Sequence, residues 1–235
     1  MDENLYLRIL NDLRSINHDK MISYSRYNEP LAHKDIFIKR LMQARELLPN
    51  AVLHTNTNGD YLTREYLDEL YAAGLRSMNI QCYLSEGESF DIGKIKASIA
   101  KTAERLNLDF NVTCNSDQLH QVSFSHKDMQ LSMYARDFNV NGNNRGGTLK
   151  TIRGRTRHAP CFIPFVDIYI DYNGNVMPCC NFRSDVPEHK SFIIGNANNT
   201  SVLEIFNSAK LLKLRKILRN NNIELYPCNE CNFAT

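Results

Sequence analysis

The sequence predicts an α/β fold in two parts: a parallel β/α sheet or barrel over residues 1–150 and a small cysteine-rich domain over residues 151–235. Strand-like runs alternate with helix-period segments through the first half, at spacings that fit βαβ crossovers. That rhythm fades after Cys114, and five of the seven cysteines fall after residue 160.

Leu5, Ile9, Leu10 and Leu13 recur at helical spacing and predict a first helix over residues 4–16. Residues 21–24 (Met-Ile-Ser-Tyr) read as a short buried strand, closed by the turn Asn28-Glu29-Pro30. Ile36, Ile38, Leu41, Met42 and Leu47 mark a second helix that stops before Pro49, and 51–55 follow as a strand running into Asn58-Gly59. Thr63 is placed to N-cap a helix that ends at Gly74, with 77–81 as the next strand. Residues 92–106 then predict a helix and 109–113 a strand. Strands separated by helices of this length imply right-handed crossovers and a parallel sheet or barrel, with chemistry at the C-terminal strand ends.

Further along, 121–139 hold strand-like runs, 141–147 form an Asn/Gly-rich loop, and the basic stretch 150–158 reads as a linker. Beyond it, 166–171 predict a strand, Tyr172-Asn173-Gly174-Asn175 a hairpin turn and 176–178 the return strand. Two short helical segments, 202–206 and 211–218, precede the last cysteines.

Charge names no partner: 28 Lys and Arg balance 26 Asp and Glu, which argues against a nucleic-acid-binding face. No apolar run reaches the roughly 18 residues that span a bilayer, and the N-terminus is acidic where a signal peptide is basic. A cytoplasmic protein without membrane contact is expected. An odd cysteine count concentrated near the C-terminus suits a reducing compartment and a local metal site better than a disulfide framework.

Cys161 precedes the predicted hairpin, Cys179 and Cys180 follow it, and Cys228-Asn229-Glu230-Cys231 nearly closes the chain. A C-x-x-C turn brings two thiolates onto one centre, and two more from a hairpin complete four ligands. Thiolates without histidine at ligand spacing favour zinc or an iron-sulfur cluster, and the spacing does not separate the two. Cys180 competes with Cys179 as ligand, while Cys82 and Cys114, in or beside strands, read as packed thiols.

The C-terminal region resembles the SPASM domain, the auxiliary-cluster domain of many radical SAM enzymes. Its motif of a cysteine, a variable stretch, a glycine, four residues and a cysteine is matched by Cys161, Gly174 and Cys179, within Asp171-Tyr172-Asn173-Gly174-Asn175-Val176-Met177-Pro178-Cys179-Cys180. Ile194-Gly195-Asn196, residues 201–206 and the terminal Cys228-x-x-Cys231 are also similar to the family. The resemblance implies iron-sulfur rather than zinc, and one auxiliary 4Fe-4S cluster on Cys161, Cys179, Cys228 and Cys231. Residues 1–150 resemble an incomplete radical-SAM-type barrel. Glu29, in Ser25-Arg26-Tyr27-Asn28-Glu29-Pro30-Leu31, stands where that family contacts the amino group of S-adenosylmethionine, and Asn58 and Gly59 match its third-strand signature. From the residues alone, Glu29 reads equally as a helix cap and Asn58-Gly59 as an ordinary turn.

The C-x-x-x-C-x-x-C triplet that holds the catalytic cluster of such enzymes occurs nowhere in the sequence. The expected function is therefore an iron-sulfur cluster binding protein of the radical SAM/SPASM superfamily, N-terminally truncated or degenerate, binding S-adenosylmethionine weakly at best. A strand lost before 21–24 would leave an associating sheet edge. A peptide or protein substrate is expected. The alternatives are a non-catalytic peptide- or partner-binding module and a structural four-cysteine zinc protein.

Overall fold

The computed structural model describes residues 1–84, 88–147, 149, 152, 159–220 and 224–232. Packing divides them into two units, residues 17–137 and residues 1–16 with 138–235. The first helix, α1 (Glu3–Ser15), therefore clusters with the C-terminal residues, and the division expected near residue 150 falls after Asp137. The expected linker at 150–158 lies outside the described residues apart from Ile152.

The unit of residues 17–137 runs β1 (Met21–Ser23), α2 (Lys34–Leu47), β2 (Val52–Thr57), α3 (Arg64–Ala72), β3 (Leu75–Gln81), α4 (Ile92–Leu106), β4 (Phe110–Asn115), β5 (Leu119–His126) and β6 (Met129–Arg136). Local signals set the helix ends. Thr63 Oγ1 accepts from Tyr66 N–H at 3.2 Å and caps α3, while Asp91 caps α4 by accepting from the N–H groups of Gly93 and Lys94. Gly74, at φ +106°, and Asn107, at φ +48°, take the left-handed conformation after α3 and α4.

These strands form one six-stranded sheet in the order β1-β2-β3-β6-β5-β4. The pairs β1/β2, β2/β3 and β3/β6 are parallel, as the alternation predicts. The strand expected after α4 does not join β3. It lies at the far edge, antiparallel to β5, and the β5/β6 hairpin turns back so that β6 takes the place beside β3. The hairpin turn at Lys127-Asp128, with Lys127 at φ +52°, joins β5 and β6. Four of the six β4 residues are exposed in a row, which fits an edge and not the doubly covered strand of a parallel barrel.

Strand alternation gives the sheet one apolar and one polar face. Thr55, Met78, Ile80, Leu131, Met133, Val122 and Phe124 are all buried on the first and share the core with Leu41 of α2, Leu67 and Leu70 of α3, and Ile95 and Ile99 of α4. On the second, the register aligns Asn56, Asn79, Ser132 and Ser123, and beside them Gln81, Tyr134 and Gln121.

His54, on β2, is buried and shares a 2.9 Å hydrogen bond between Nδ1 and Ser77 Oγ. Burial holds its pKa below the ordinary value of 6.5, and a side-chain hydrogen bond to Asn56 opposes this only in part. On acidification the unfolded chain takes up the proton first. The contribution of neutral His54 to stability is thus complete above about pH 6.5 and is lost as pH falls through the lowered folded value. Urea midpoints should fall between about pH 7.5 and 5, and His54→Gln should flatten that dependence; an equally steep slope in the variant would contradict this account.

The second unit adds to α1 the short helices α5 (Phe138–Asn141) and α6 (Ile163–Val166), strands β7 (Tyr169–Ile170), β8 (Asn175–Met177) and β9 (Gly195–Asn196), and helices α7 (Val202–Phe206) and α8 (Ala209–Leu218). The strand expected from residue 166 is shorter than predicted, because Pro164 in the first turn starts α6 and Val166 ends it. Strands β7, β8 and β9 form an antiparallel sheet in that order.

Candidate metal centre

The hairpin that carries Cys179 is fixed by its turn. Asp171 Oδ1 accepts from the N–H groups of Asn173 at 3.2 Å and Asn175 at 2.9 Å, and Asp171 Oδ2 accepts from the Ser184 hydroxyl. Gly174 closes the turn at φ +86°, where a Cβ would stand 2.6 Å from Asn198 Nδ2 and 3.2 Å from Leu5 Cδ2 of α1. Both backbone and space therefore require glycine there. The return strand β8 buries Val176 and Met177 completely and delivers the chain to Cys179.

Cys161 is anchored by its N–H, which donates to Leu218 O at 2.8 Å at the end of α8. Helix α8 is in turn tied to α6 by Arg215, whose Nε donates to Pro164 O at 2.7 Å and whose guanidinium lies 4.1 Å from the Phe206 ring centroid. Cys228 opens a 3₁₀ turn (Cys228–Glu230), and Cys231 N–H closes it onto Cys228 O at 3.3 Å.

Cys161, Cys179, Cys228 and Cys231 line one pocket, completed by Ile163, Pro164, Phe182, Leu218 and Pro227 among others. All four are buried, at 8–9% exposure. Cys180 is half-buried and is not among the pocket-lining residues, which separates it from its neighbour Cys179. No disulfide joins the seven cysteines, all of which are described. Cys82 and Cys114 lie in the other unit, where Cys82 Sγ meets Ser98 Oγ at 3.5 Å and Cys114 Sγ meets Leu119 O at 3.9 Å. Among the described residues no three His, Cys, Asp or Glu side chains form a group that could hold a metal ion; the four thiols stand around the walls of the pocket instead.

Burial pushes the Cys179 thiol well above its ordinary pKa, and Cys180, Cys228 and Cys231 add to the shift, against an N–H from Asn181. A buried thiol raised in this way is stabilised as a thiolate by a cationic centre, which takes the place of its proton. The donor set and its enclosure thus fit an iron-sulfur group: soft ligands at the corners and an apolar shell that excludes water.

In the residues 17–137, the structure also brings Glu29, Asn58 and Gly59 together at the C-terminal end of β2. Glu29 Oε1 accepts from Leu31 N–H at 3.1 Å and from Thr57 Oγ1 at 2.6 Å, and Oε2 accepts from Asn58 N–H at 2.9 Å. The cap reading of Glu29 therefore holds, and the same carboxylate latches the turn after β2. Gly59, at φ +80°, donates its N–H to Thr57 Oγ1 at 3.0 Å and would bring a Cβ within 2.9 Å of Ile80 Cγ2.

Nearby, the polar face carries a hydrogen-bond chain that apolar periodicity does not reveal. Asn56 Nδ2 donates to Ser25 Oγ at 2.9 Å, Asn79 Nδ2 to Asn56 Oδ1 at 3.1 Å and Ser132 Oγ to Asn79 Oδ1 at 2.7 Å. Its signal in the sequence is strict alternation, as in Ser77-Met78-Asn79-Ile80-Gln81 and Gln130-Leu131-Ser132-Met133-Tyr134.

Comparison with known proteins agrees with this geometry. Residues 161–232 match the SPASM family, an iron-sulfur cluster-binding domain, and the match spans all four pocket cysteines. The S-adenosyl-L-methionine-dependent 2-deoxy-scyllo-inosamine dehydrogenase of Niallia circulans is 25% identical over 236 residues, covering 99% of this chain and 80% of the relative. The crystal structure of BtrN in complex with AdoMet and 2-DOIA aligns with a TM-score of 0.73 at 21% identity, and selenomethionine BtrN in an open conformation aligns with 0.65 at 19%; each alignment covers 99% of this chain and 80% of that one. No described helix is long and apolar enough to cross a membrane. Residues 161–232 thus form a SPASM-type iron-sulfur cluster-binding domain, and the chain as a whole shares the fold of BtrN.

Proposed function

We propose that the chain binds one auxiliary-type 4Fe-4S cluster through Cys161, Cys179, Cys228 and Cys231. The observation that carries this reading is that four cysteines scattered over 71 residues of the SPASM match wall a single apolar pocket. A bound cluster supplies one-electron transfer at a potential set by its surroundings. The chain's own part is to hold four thiolates from three separate segments, to exclude water with Ile163, Phe182 and Leu218, and to place Cys179 rather than Cys180 at the pocket wall.

For S-adenosylmethionine, the supporting features are the relative's dependence on it and the cluster of Glu29, Asn58 and Gly59 at a strand end. Glu29 Oε1 already accepts two hydrogen bonds and Oε2 one, which leaves acceptor capacity for an ammonium chiefly on Oε2. With no C-x-x-x-C-x-x-C triplet in these 235 residues, binding is weak. The uncharged polar row Asn56, Asn79, Ser132, Gln81 and Tyr134 is suited to a small polar substrate, in keeping with the 2-deoxy-scyllo-inosamine on which the relative acts; a peptide is the competing class.

Anaerobic reconstitution should give iron and sulfide in equal amounts, about four of each per chain. Stoichiometric zinc without sulfide would sink the cluster reading. Calorimetry should show weak S-adenosylmethionine binding, and a tight, saturable isotherm would overturn that part. Titrations with a cyclitol and with model peptides separate the two substrate classes.

A further inference from the structure

We propose that Asn181 donates an N–H···S hydrogen bond to the cluster-ligating Cys231 thiolate, is aimed there by Asn143, and thereby raises the reduction potential of the cluster. This rests on the iron-sulfur reading above and adds two residues outside the four ligands.

Asn181 is buried, at 4% exposure, and lines the same pocket as the cysteines. Its Nδ2 lies 3.9 Å from Cys231 Sγ, and its Oδ1 lies 2.9 Å from Asn143 Nδ2. Asparagine oxygen and nitrogen are told apart only through their partners, so the direction of this relay has to be traced from an unambiguous group. Arg145 supplies it: its backbone N–H can only donate, and it meets Asn143 Oδ1 at 2.7 Å. Asn143 must then turn its NH₂ toward Asn181, Asn181 must receive it with its carbonyl, and the Asn181 NH₂ is left facing the sulfur.

The loop that carries Asn143 is itself locked to the C-x-x-C segment. Asn144 N–H donates to Asn232 Oδ1 at 2.8 Å, and Asn232 N–H returns to Asn144 Oδ1 at 3.2 Å. Asn144 Nδ2 reaches Glu230 O at 2.6 Å, and Asn232 Nδ2 reaches Gly142 O at 2.7 Å. These four bonds fix the distance between the donor relay and Cys231.

A donor aimed at a ligating sulfur stabilises the reduced cluster more than the oxidised one, because reduction adds negative charge that spreads onto the sulfurs. In a buried site that difference is poorly screened. The bond to neutral sulfur is long, and a thiolate draws the donor closer.

The test is spectroelectrochemistry on the reconstituted full chain. Asn181→Leu, which keeps the volume and removes the donor, should shift the midpoint to a more negative potential. Asn143→Leu, which leaves Asn181 in place without its aim, should shift it the same way by less. Proton ENDOR on the reduced parent protein should show a strongly coupled exchangeable proton that disappears in Asn181→Leu, a signature that loss of packing alone does not produce. Unchanged potentials in both variants, or a positive shift, overturn the proposal. If Asn181→Leu retains no cluster, Asn143→Leu decides alone, and an unchanged midpoint there overturns it. A parent protein that binds no iron and sulfide at all overturns the cluster reading, and this proposal falls with it.

Discussion

Cys228→Ala or Cys231→Ala should abolish the visible charge-transfer absorption of the anaerobically reconstituted protein, and with it most of the bound iron. Cys82→Ala and Cys114→Ala should leave both intact. The contrast follows from placement: the first two thiols share a pocket with Cys161 and Cys179, whereas the other two pack within the unit of residues 17–137. The terminal pair sits on a single 3₁₀ turn, so either loss removes one of two thiols offered by the same segment. Cys180→Ala separates two adjacent candidates. Half-buried and outside the pocket lining, Cys180 should be dispensable, and Cys179→Ala should behave like Cys228→Ala. Iron and sulfide analysis of the six variants checks this, and equal losses at Cys82 and Cys228 would refute the ligand assignment.

Ile9→Ala should destabilise the unit of residues 1–16 and 138–235 by about 2–5 kcal/mol, the range for truncating a buried isoleucine. Against a total of about 5–15 kcal/mol for a domain, that is a large share. Ile9 and Leu5 belong to the same buried cluster as Val176, Met177, Ile205 and Leu211, so α1 is part of the core that surrounds the cysteine hairpin. Polar contacts fix its placement: Arg8 Nη1 donates to Asn198 O at 2.5 Å, and Asp12 Oδ2 accepts from Val202 N–H at 2.8 Å at the start of α7. Asn11→Ala, on the exposed face, serves as the control and should change stability by no more than about 0.5 kcal/mol. Denaturant unfolding measures both. The same cost at Asn11 as at Ile9 would mean that helix propensity, and not docking, sets the effect.

Local chemistry made much of the architecture legible. The Thr63 cap, the left-handed Gly74, the 92–106 helix and the hairpin turn around Gly174 each follow from interactions within a few residues, which one sequence displays directly. The terminal C-x-x-C and the cysteines flanking the hairpin were likewise visible as ligand spacing. Strand order was not. β4 looks like the next parallel strand because a helix precedes it, yet hairpin pairing between β5 and β6 is more local than a further crossover and takes the place beside β3.

The sequence by itself determined which segments are helix and strand through most of residues 17–137 and, through its resemblance to the SPASM family, the iron-sulfur character of the C-terminal region. Only the tertiary structure decided that α1 packs with that region, that Cys179 and not Cys180 faces the pocket, and that Asn143 and Asn181 lead to Cys231. The physical reason is range. Caps, turns and periodicity act over about four residues, so their causes are written side by side in the chain. A hydrogen bond between residues 38 or 50 positions apart exists only once the intervening chain has folded, and asparagines, common in turns for their own local reasons, give no sign in sequence of which partner they will meet.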